Sequence, residues 1–263
     1  MGRFAGVLKV SFQEGLVYRT QFLADVSAGC VYLLSFYYLW RAVYAGRSEI
    51  EGIPLASMIA YTLVSTLIGF VVRQDVNVMV GNKVHGGEIA IELTKPINYQ
   101  RVLLYTAIGQ AIFNLLFKAL PVVLLFAYAL DIAVPLEPAR VLAAVLSCAL
   151  GFVVYFLIDL SLGSLAFWIT QTYGVNMFKN VFMTLCAGGV MPLDFFPAVV
   201  RDVLAFMPFK GCFYTPLSIC LGLDSPGGPL PLIAEQLGWI MVLLLVSQVL
   251  WRKALPKVVV LGG

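Results

Sequence analysis

An all-α membrane protein with six transmembrane helices is the fold class that the sequence predicts, from its composition, its apolar segments and the placement of its positive charges. Of the 263 residues, 61% are apolar or aromatic and only 12% are charged, whereas soluble domains are about 25% charged. So few charges cannot cover a water-soluble surface of this size, but a bilayer needs no such covering. We therefore expect one membrane domain over the whole chain, residues 1–263.

The first predicted element is an N-terminal interfacial amphipathic helix over Gly2–Thr20. Apolar residues recur there every four positions, which places them on one face of a helix: Phe4, Leu8, Phe12 and Leu16. Such a segment lies in the membrane interface with its apolar face against the lipid tails. The alternative is an ordinary cytoplasmic tail.

Six apolar segments then approach or exceed the length that a membrane crossing needs, which is about 20 residues. They are predicted at Gln21–Tyr44, Leu55–Val72, Val102–Leu130, Ala139–Thr170, Val175–Met191 and Leu232–Trp251. The third and fourth are longer than one crossing requires, so we expect them to tilt or to project beyond the membrane. The fifth is short and ends at the Met191-Pro192 pair.

The Lys and Arg residues predict the orientation, because positively charged loops stay on the cytoplasmic side. With the N-terminus inside, eleven are cytoplasmic: Arg3, Lys9, Arg19, Arg73, Lys83, Lys95, Arg101, Lys179, Arg252, Lys253 and Lys257. Five are external: Arg41, Arg47, Arg140, Arg201 and Lys210. The remaining one, Lys118, lies within the third span. Both termini are therefore predicted to be cytoplasmic.

Two connections are unusual. The cytoplasmic stretch 73–101 is too long for a simple link, so we expect it to contain structure of its own. Within it, Glu88–Thr94 alternates apolar and acidic residues, and Lys95-Pro96 ends the alternation. The external stretch 192–231 is too apolar for a water-exposed loop, yet prolines divide it. It predicts short re-entrant helices, the clearest at Ala198–Phe206, which are tolerated at membrane depth only under a cover of protein or in a water-filled cavity.

Three charged residues within the predicted spans are singled out as candidates: Asp25, Lys118 and Asp159. A charge at the centre of a membrane helix costs about 2.5–3.5 kcal/mol, so each is a functional candidate. Lys118 can extend its amine to the interface, or pair with Asp159 if the third and fourth spans pack together. A structural ion pair or a position near a helix end explains all three, and a proton or substrate relay is the alternative.

Enzyme signatures are scarce. The single histidine, His85, is incompatible with a bis-histidine haem site and with an HExxH zinc site, and no phosphate-binding loop occurs. Five cysteines show no metal-binding spacing, and only Cys212 and Cys220 are close enough in sequence to suggest a bridge. We therefore expect no catalytic residue, metal or cofactor in this chain. The net charge of +3 is too small to indicate a nucleic-acid partner.

The order of three features resembles the permeases of type-2 ABC exporters, specifically the short six-span permeases encoded beside a separate ATPase. The amphipathic segment Gly2–Thr20 is similar to that class's interfacial elbow helix. The sequence from Gly87 to Pro96, GEIAIELTKP, resembles the family's Gly-Glu-Ile…Leu-x-Arg-Pro stretch, with Lys95 in place of the common arginine. Pro192–Pro197, followed by Met207-Pro208-Phe209 and Gly222, resembles the outer re-entrant segment.

The resemblance implies two permease subunits, either identical or related, bound to two copies of a cytoplasmic ATPase that binds ATP and Mg²⁺. The chain would then be a multi-pass protein of the bacterial cytoplasmic (inner) membrane that moves a hydrophobic or amphipathic substrate outward. The stretch after the second span would form the coupling helix, whose candidate residues are Gly87, Glu88, Ile89, Ile91, Glu92, Leu93, Lys95 and Pro96. Its alternating residues would give the ATPase apolar anchors beside acidic partners for basic residues.

The family's translocation pathway lies between the two permeases, along the second and fifth spans. The resemblance therefore implies a mostly apolar, adaptable lining made of Met58, Tyr61, Ser65, Phe178, Phe182 and Met183, for which core packing is the alternative. It also implies an outer gate at Pro192, Phe195, Phe196, Pro197 and Pro208. Two other functions stay open: a secondary transporter or channel that uses Asp25, Lys118 and Asp159, and a membrane scaffold without transport.

Overall fold

A computed structural model of the chain describes residues 19–132, 137–223 and 227–258, together with the single positions Gly6 and Gln13. The predicted interfacial helix over Gly2–Thr20 lies almost entirely outside these residues.

The described chain is almost wholly helical. Its α-helices are α1 Arg19–Val43, α2 Leu55–Val72, α3 Val76–His85, α4 Ile89–Thr94, α5 Tyr99–Phe113, α6 Leu120–Ala129, α7 Pro138–Ser164, α8 Tyr173–Cys186, α9 Ala198–Ala205, α10 Tyr214–Leu221 and α11 Pro229–Ala254. A π-helical segment, Asn114–Ala119, joins α5 to α6, and 3₁₀ turns occur at Leu165–Phe167, Leu193–Phe195, Pro208–Cys212 and Leu255–Lys257. The predicted second span matches α2 at both ends.

The described residues also include one small hairpin that the sequence analysis missed. Strands β1 (Glu49–Ile50) and β2 (Ile53–Pro54) pair antiparallel with Ile50 opposite Ile53. The two turn residues, Glu51 and Gly52, have φ values of 49° and 74°, as a tight hairpin of the type I′ class requires. A hydrogen bond connects the hairpin to Tyr44, whose hydroxyl donates to the Ile53 carbonyl oxygen at 3.0 Å.

Five described helices are long and apolar enough to cross a membrane. They span Thr20–Val43, Leu55–His85, Tyr99–Ala129, Pro138–Phe167 and Pro229–Lys257. The predicted fifth span, Val175–Met191, instead forms the 14-residue helix α8. At about 1.5 Å per residue α8 is only about 21 Å long, which is shorter than the hydrocarbon core of about 30 Å.

Helix α8 ends early because the Gly188-Gly189 turn follows it. Gly188 has a φ of 76°, and a Cβ at this position would lie 2.7 Å from the Tyr214 Cβ. The side chains of Tyr61 and Ser65 on α2 donate hydrogen bonds to the carbonyls of Gly188 and Gly189 respectively. A glycine is therefore needed both for the backbone conformation and for the close approach.

Helix α7 lies at the centre of the fold, and two of its glycines let other segments approach closely. A Cβ at Gly163 would lie 3.0 Å from the Asn77 Cα on α3, and one at Gly151 would lie 2.7 Å from the Gly211 carbonyl oxygen. The first contact packs the loop after the second span against one end of α7. The second packs the external stretch against α7 about three turns away.

The outermost helices carry exposed apolar side chains. On α1 these include Leu23, Val31 and Leu34, and on α11 they include Met241 and Leu245. In a water-soluble protein such surfaces would be an aggregation risk. In a multi-pass membrane protein they contact lipid or another subunit.

Candidate functional site

The loop between α2 and α5 is a folded unit of two helices, α3 and α4. Gly86 and Gly87 separate them, and Gly87 has a φ of 74°. Apolar and acidic residues alternate in the sequence Glu88–Thr94, but the segment is helical from Ile89, so alternate residues do not share one face. A helical repeat places residues four apart on one face.

This helical geometry changes which residues are available to a partner. Ile89 is 2% exposed and Leu93 packs against the same internal core, so neither forms an outward anchor. Ile91 faces outward and is 64% exposed, and Ile97 beyond α4 is 41% exposed. The apolar surface of the loop is therefore formed by Ile91 and Ile97 rather than by three alternating residues.

The acidic residues of this loop are paired with lysines of the same loop. Lys83 donates a hydrogen bond to Glu88, and its amine lies 3.7 Å from a Glu92 oxygen, while Lys95 contacts Glu92 at 2.7 Å. The hydrogen bond from Lys83 and its positive charge hold the pKa of the Glu88 carboxyl below its ordinary value. A partner that engages Glu88 must compete with Lys83.

A cluster of buried polar groups, here called the sealed cluster, ties α3 to α7 and α8. Lys179 on α8 donates to Asp159 Oδ1 at 2.8 Å, and the side chains of the two are 2% and 0% exposed. Lys179 also contacts Asn77 Oδ1 at 3.3 Å and the Gln74 carbonyl at 3.5 Å. The backbone N–H of Asn77 donates to Asp159 Oδ2 at 3.4 Å.

The polar groups of the sealed cluster have further partners on neighbouring helices. Asn77 Nδ2 donates to Asn176 Oδ1 at 3.1 Å, and the Lys179 amine lies 5.1 Å from the centre of the Tyr155 ring. A buried charge is tolerated only when it is paired and hydrogen-bonded in this way. Moving α3 relative to α7 or α8 therefore requires breaking or rearranging charged hydrogen bonds.

Sequence reasoning missed Lys179 as a member of this site. It was counted among the cytoplasmic charges although it lies inside the predicted fifth span, Val175–Met191. The available signal was that an ionisable residue within a span needs a partner, and Asp159 was the remaining candidate of opposite charge.

Lys118 does not pair with Asp159, so that option is wrong. Its amine contacts Asp25 Oδ2 at 2.7 Å, joining the π-helical segment to α1, and Gln21 donates to Asp25 Oδ1 at 2.8 Å. The physical reason is that Asp159 is enclosed by α3 and α8, and its carboxylate oxygens accept hydrogen bonds from Lys179 and from the backbone N–H of Asn77. The three charges singled out from the sequence, together with Lys179, thus form two separate pairs.

The residues predicted to line a pathway divide into two groups. Met58, Tyr61, Ser65 and Met183 are buried inside this chain. Phe178 is 71% exposed, and its ring stacks on that of Phe182 with 5.8 Å between centres. Of these six residues, only Phe178 and Phe182 on α8 are exposed or half-buried in the single chain.

The external stretch is held to the spans by hydrogen bonds and by an ion pair between Lys210 and Glu235 on α11, 2.8 Å apart. Gln236 on α11 donates to the Gly211 carbonyl at 2.7 Å and to the Ser147 carbonyl at 3.0 Å, and accepts from Ser147 Oγ at 2.8 Å. Tyr214 donates to Asp194 at 2.9 Å. Burial, and secondarily the charge of Asp194, raises the pKa of the Tyr214 hydroxyl, so the hydroxyl stays protonated.

Among the residues predicted as an outer gate, burial decreases from Pro192 to Pro197. Pro192 is buried, Phe195 packs edge-on to Trp40 with ring centres 6.1 Å apart, and Pro197 is exposed. Phe196 and Pro208 are half-buried. Cys212 and Cys220 are both free thiols, so the suggested bridge is not formed.

These features define a multi-pass helical membrane protein with a folded loop between α2 and α5 and a packed stretch over residues 192–223. A family model described as an ABC-2 family transporter protein matches residues 30–262. The chain therefore belongs to the ABC-2 transporter family and is a permease subunit of an ABC transporter, as the sequence resemblance indicated. Searches of curated proteins and of solved structures found no match.

Proposed function

We propose that this permease is one of two transmembrane subunits of an ABC exporter that moves a hydrophobic or amphipathic substrate outward across the bacterial inner membrane. Two copies of a separate ATPase subunit bind ATP and Mg²⁺ on the cytoplasmic side, where both termini of the chain lie. The second permease is a copy or a related chain. Helix α8 and the turn after it complete a sixth crossing, with the short external helices forming the outer gate.

The observation that carries this proposal is the connection between α3 and the sealed cluster. A loop that only links two spans needs no fixed attachment, yet Asn77 on α3 is bonded to both Asp159 and Lys179. Force applied to α3 and α4 is therefore transmitted directly to α7 and α8. This is the mechanical requirement for an ATP-driven transporter, in which the motor biases two packings of the spans.

The surface that would receive that force is the exposed part of the loop. Ile91 presents an apolar side chain on α4 beside the exposed carboxylate of Glu88, with Ile97 just beyond the helix. A central apolar contact rimmed by charge is the usual composition of a protein interface. We assign Ile91 as the anchor in the ATPase groove and Glu88 as its charged neighbour.

The exposed face of α8 suits the pathway between two permeases. Met177, Phe178, Val181 and Leu185 lie on it and are all exposed in the single chain. Lys179, on the same helix, belongs to the sealed cluster and is hydrogen-bonded to Asn77 on α3. A shift of α3 would therefore move α8, and with it this exposed face. The flexible side chain of Met177 and the aromatic ring of Phe178 suit an amphipathic substrate.

A matched pair of variants tests the ATPase assignment. Ile91→Asp places a charge in the proposed groove, and we expect the partner ATPase no longer to co-purify with the permease from detergent or nanodiscs. Val199→Asp makes the same change at a 77% exposed residue of α9, on the proposed outer side, and should leave co-purification intact. Equal ATPase recovery with both variants would remove Ile91 from the interface.

The alternative of a proton-coupled secondary transporter has less support. Asp159 and Lys179 neutralise each other without solvent access, and Asp25 and Lys118 form a second, separate pair. A relay needs groups that exchange protons along a path. Substrate movement driven by a proton gradient in vesicles free of any ATPase would favour this alternative over the exporter.

A further inference from the structure

A cavity of about 380 Å³ lies between α1, α2 and the π-helical segment, and Gly189 of the turn after α8 also lines it. The volume falls within the range of small-molecule sites, about 300–1,000 Å³. Small residues make the room: Ala28 and Gly29 on α1 and Gly69 on α2. Gly29 is tightly placed, because a Cβ there would lie 3.0 Å from the Phe70 ring.

The cavity has an excess of positive charge. Asp25, Lys118 and Arg73 all line it. Asp25 is already satisfied, with Gln21 on one oxygen and Lys118 on the other. Arg73 has no carboxylate partner among the described residues, and its guanidinium lies 5.4 Å from the centre of the Phe213 ring.

Both cations have donors left for a ligand. An ammonium carries three N–H groups and a guanidinium five, and the Asp25 contact uses one from Lys118. The side chains of Lys118 and Asp25 are 14% and 31% exposed, so the cavity is open to the surface. Asp25, Lys118 and Arg73 together carry a net charge of +1, so one bound anionic group with a single negative charge would neutralise the cavity.

The π-helical segment strengthens the assignment of a site. It carries Asn114 and Lys118, which both line the cavity. Widened helical turns of this kind occur frequently at functional sites. The amide of Asn114 adds a neutral donor and acceptor to the two cations.

Asp25 and Arg73 lie near the same edge of the membrane domain. From Asp25 to the end of α1 at Val43, and from Arg73 to the start of α2 at Leu55, each helix runs about 27 Å at 1.5 Å per residue. The hydrocarbon core is about 30 Å thick. With the opposite helix ends at one membrane interface, the backbone positions of Asp25 and Arg73 lie near the other edge of the hydrocarbon core, next to the headgroup layer.

We propose that this cavity binds the phosphate group of a membrane lipid, with Arg73 and Lys118 contacting the phosphate and the Gly29–Phe70 side holding the start of an acyl chain. Arginine suits phosphate oxygens because its fork of donors matches their spacing. The inference does not depend on ATPase coupling, since binding is a property of the permease chain itself.

Equilibrium binding of radiolabelled phosphatidylglycerol to the full-length chain in mixed micelles tests the site. We expect Arg73→Gln and Lys118→Met each to weaken binding about tenfold or more, the effect of losing a hydrogen bond to a charged group. Arg252→Gln removes an exposed arginine of α11 outside the cavity and should leave binding unchanged. Arg73→Lys and Lys118→Arg, which keep the charge, should retain more binding than the neutral variants and show that folding is intact.

Two further probes separate the sources of phosphate. Diacylglycerol, which lacks phosphate, should bind weakly and equally to all variants. Inorganic phosphate should displace the lipid only poorly, because it lacks the chain; displacement at the affinity of the lipid would overturn the lipid assignment. Unchanged phosphatidylglycerol binding in both Arg73→Gln and Lys118→Met would overturn the proposal as a whole.

Discussion

Two ion pairs inside the membrane domain have nearly the same geometry and different surroundings. Lys179 and Asp159 lie 2.8 Å apart with side chains 2% and 0% exposed, whereas Lys118 and Asp25 lie 2.7 Å apart with side chains 14% and 31% exposed. The first pair is enclosed by α3, α7 and α8 and holds the proposed coupling loop. The second lines an open cavity. Burial, and not the distance between the charges, therefore distinguishes the pair proposed to transmit force from the pair proposed to bind a ligand.

The largest effect should come from breaking the sealed pair. Lys179→Met leaves the Asp159 carboxylate buried without its cation, and removing one partner of such a pair costs about 3–5 kcal/mol. We expect a clear fall in the thermal unfolding midpoint of the purified permease. Lys253→Met, at an exposed lysine of α11, is the matched control and should change the midpoint little.

A double variant separates stability from coupling. Replacing a buried ion pair by apolar residues of similar volume is often neutral or stabilising, so Lys179→Met combined with Asp159→Leu should recover most of the lost unfolding midpoint. A double variant as unstable as Lys179→Met alone would show that the charge pairing is not the source of the effect.

The open pair should be far less sensitive. Lys118→Met leaves Asp25 partly exposed to solvent and still bonded to Gln21. We expect a loss of about 1 kcal/mol or less in the free energy of unfolding, measured in the same thermal assay. A loss comparable to that of Lys179→Met would contradict the distinction between the two pairs.

The smallest effect is expected on the loop surface. Lys95 contacts Glu92 at 2.7 Å, but the Lys95 side chain is 51% exposed. Lys95→Ala should therefore change the free energy of unfolding by no more than about 0.5 kcal/mol. A larger loss would show that this surface pair is coupled to the sealed cluster.

Sequence reasoning recovered the features that depend on local pattern. Hydropathy located five of the six predicted spans, with α2 matched at both ends, and the Pro-divided external stretch does contain a helix beginning at Ala198. Each of these rests on residues adjacent in the chain. The family resemblance likewise rested on the order of short local motifs and is confirmed by the family match.

The remaining features depend on contacts between distant segments. Lys179 meets Asn77 across 102 positions and Lys118 meets Asp25 across 93, and nothing in the local sequence specifies those partners. The early end of α8 depends on Tyr61 and Ser65 capturing the glycine turn. The alternating sequence suggests Ile89 as an anchor for a partner, but which face of helix α4 is buried depends on the core that packs against it, and this core covers Ile89.

The most direct test of the proposed coupling is the rate of ATP hydrolysis by the assembled complex in nanodiscs, relative to the isolated ATPase. With the wild-type permease we expect assembly to change the rate. With the Lys179→Met, Asp159→Leu double variant we expect the ATPase still to co-purify, since Ile91 is untouched, but to hydrolyse ATP at the rate of the isolated subunit. Hydrolysis at the rate of the wild-type complex would contradict the claim that the sealed cluster transmits force between the motor and the spans.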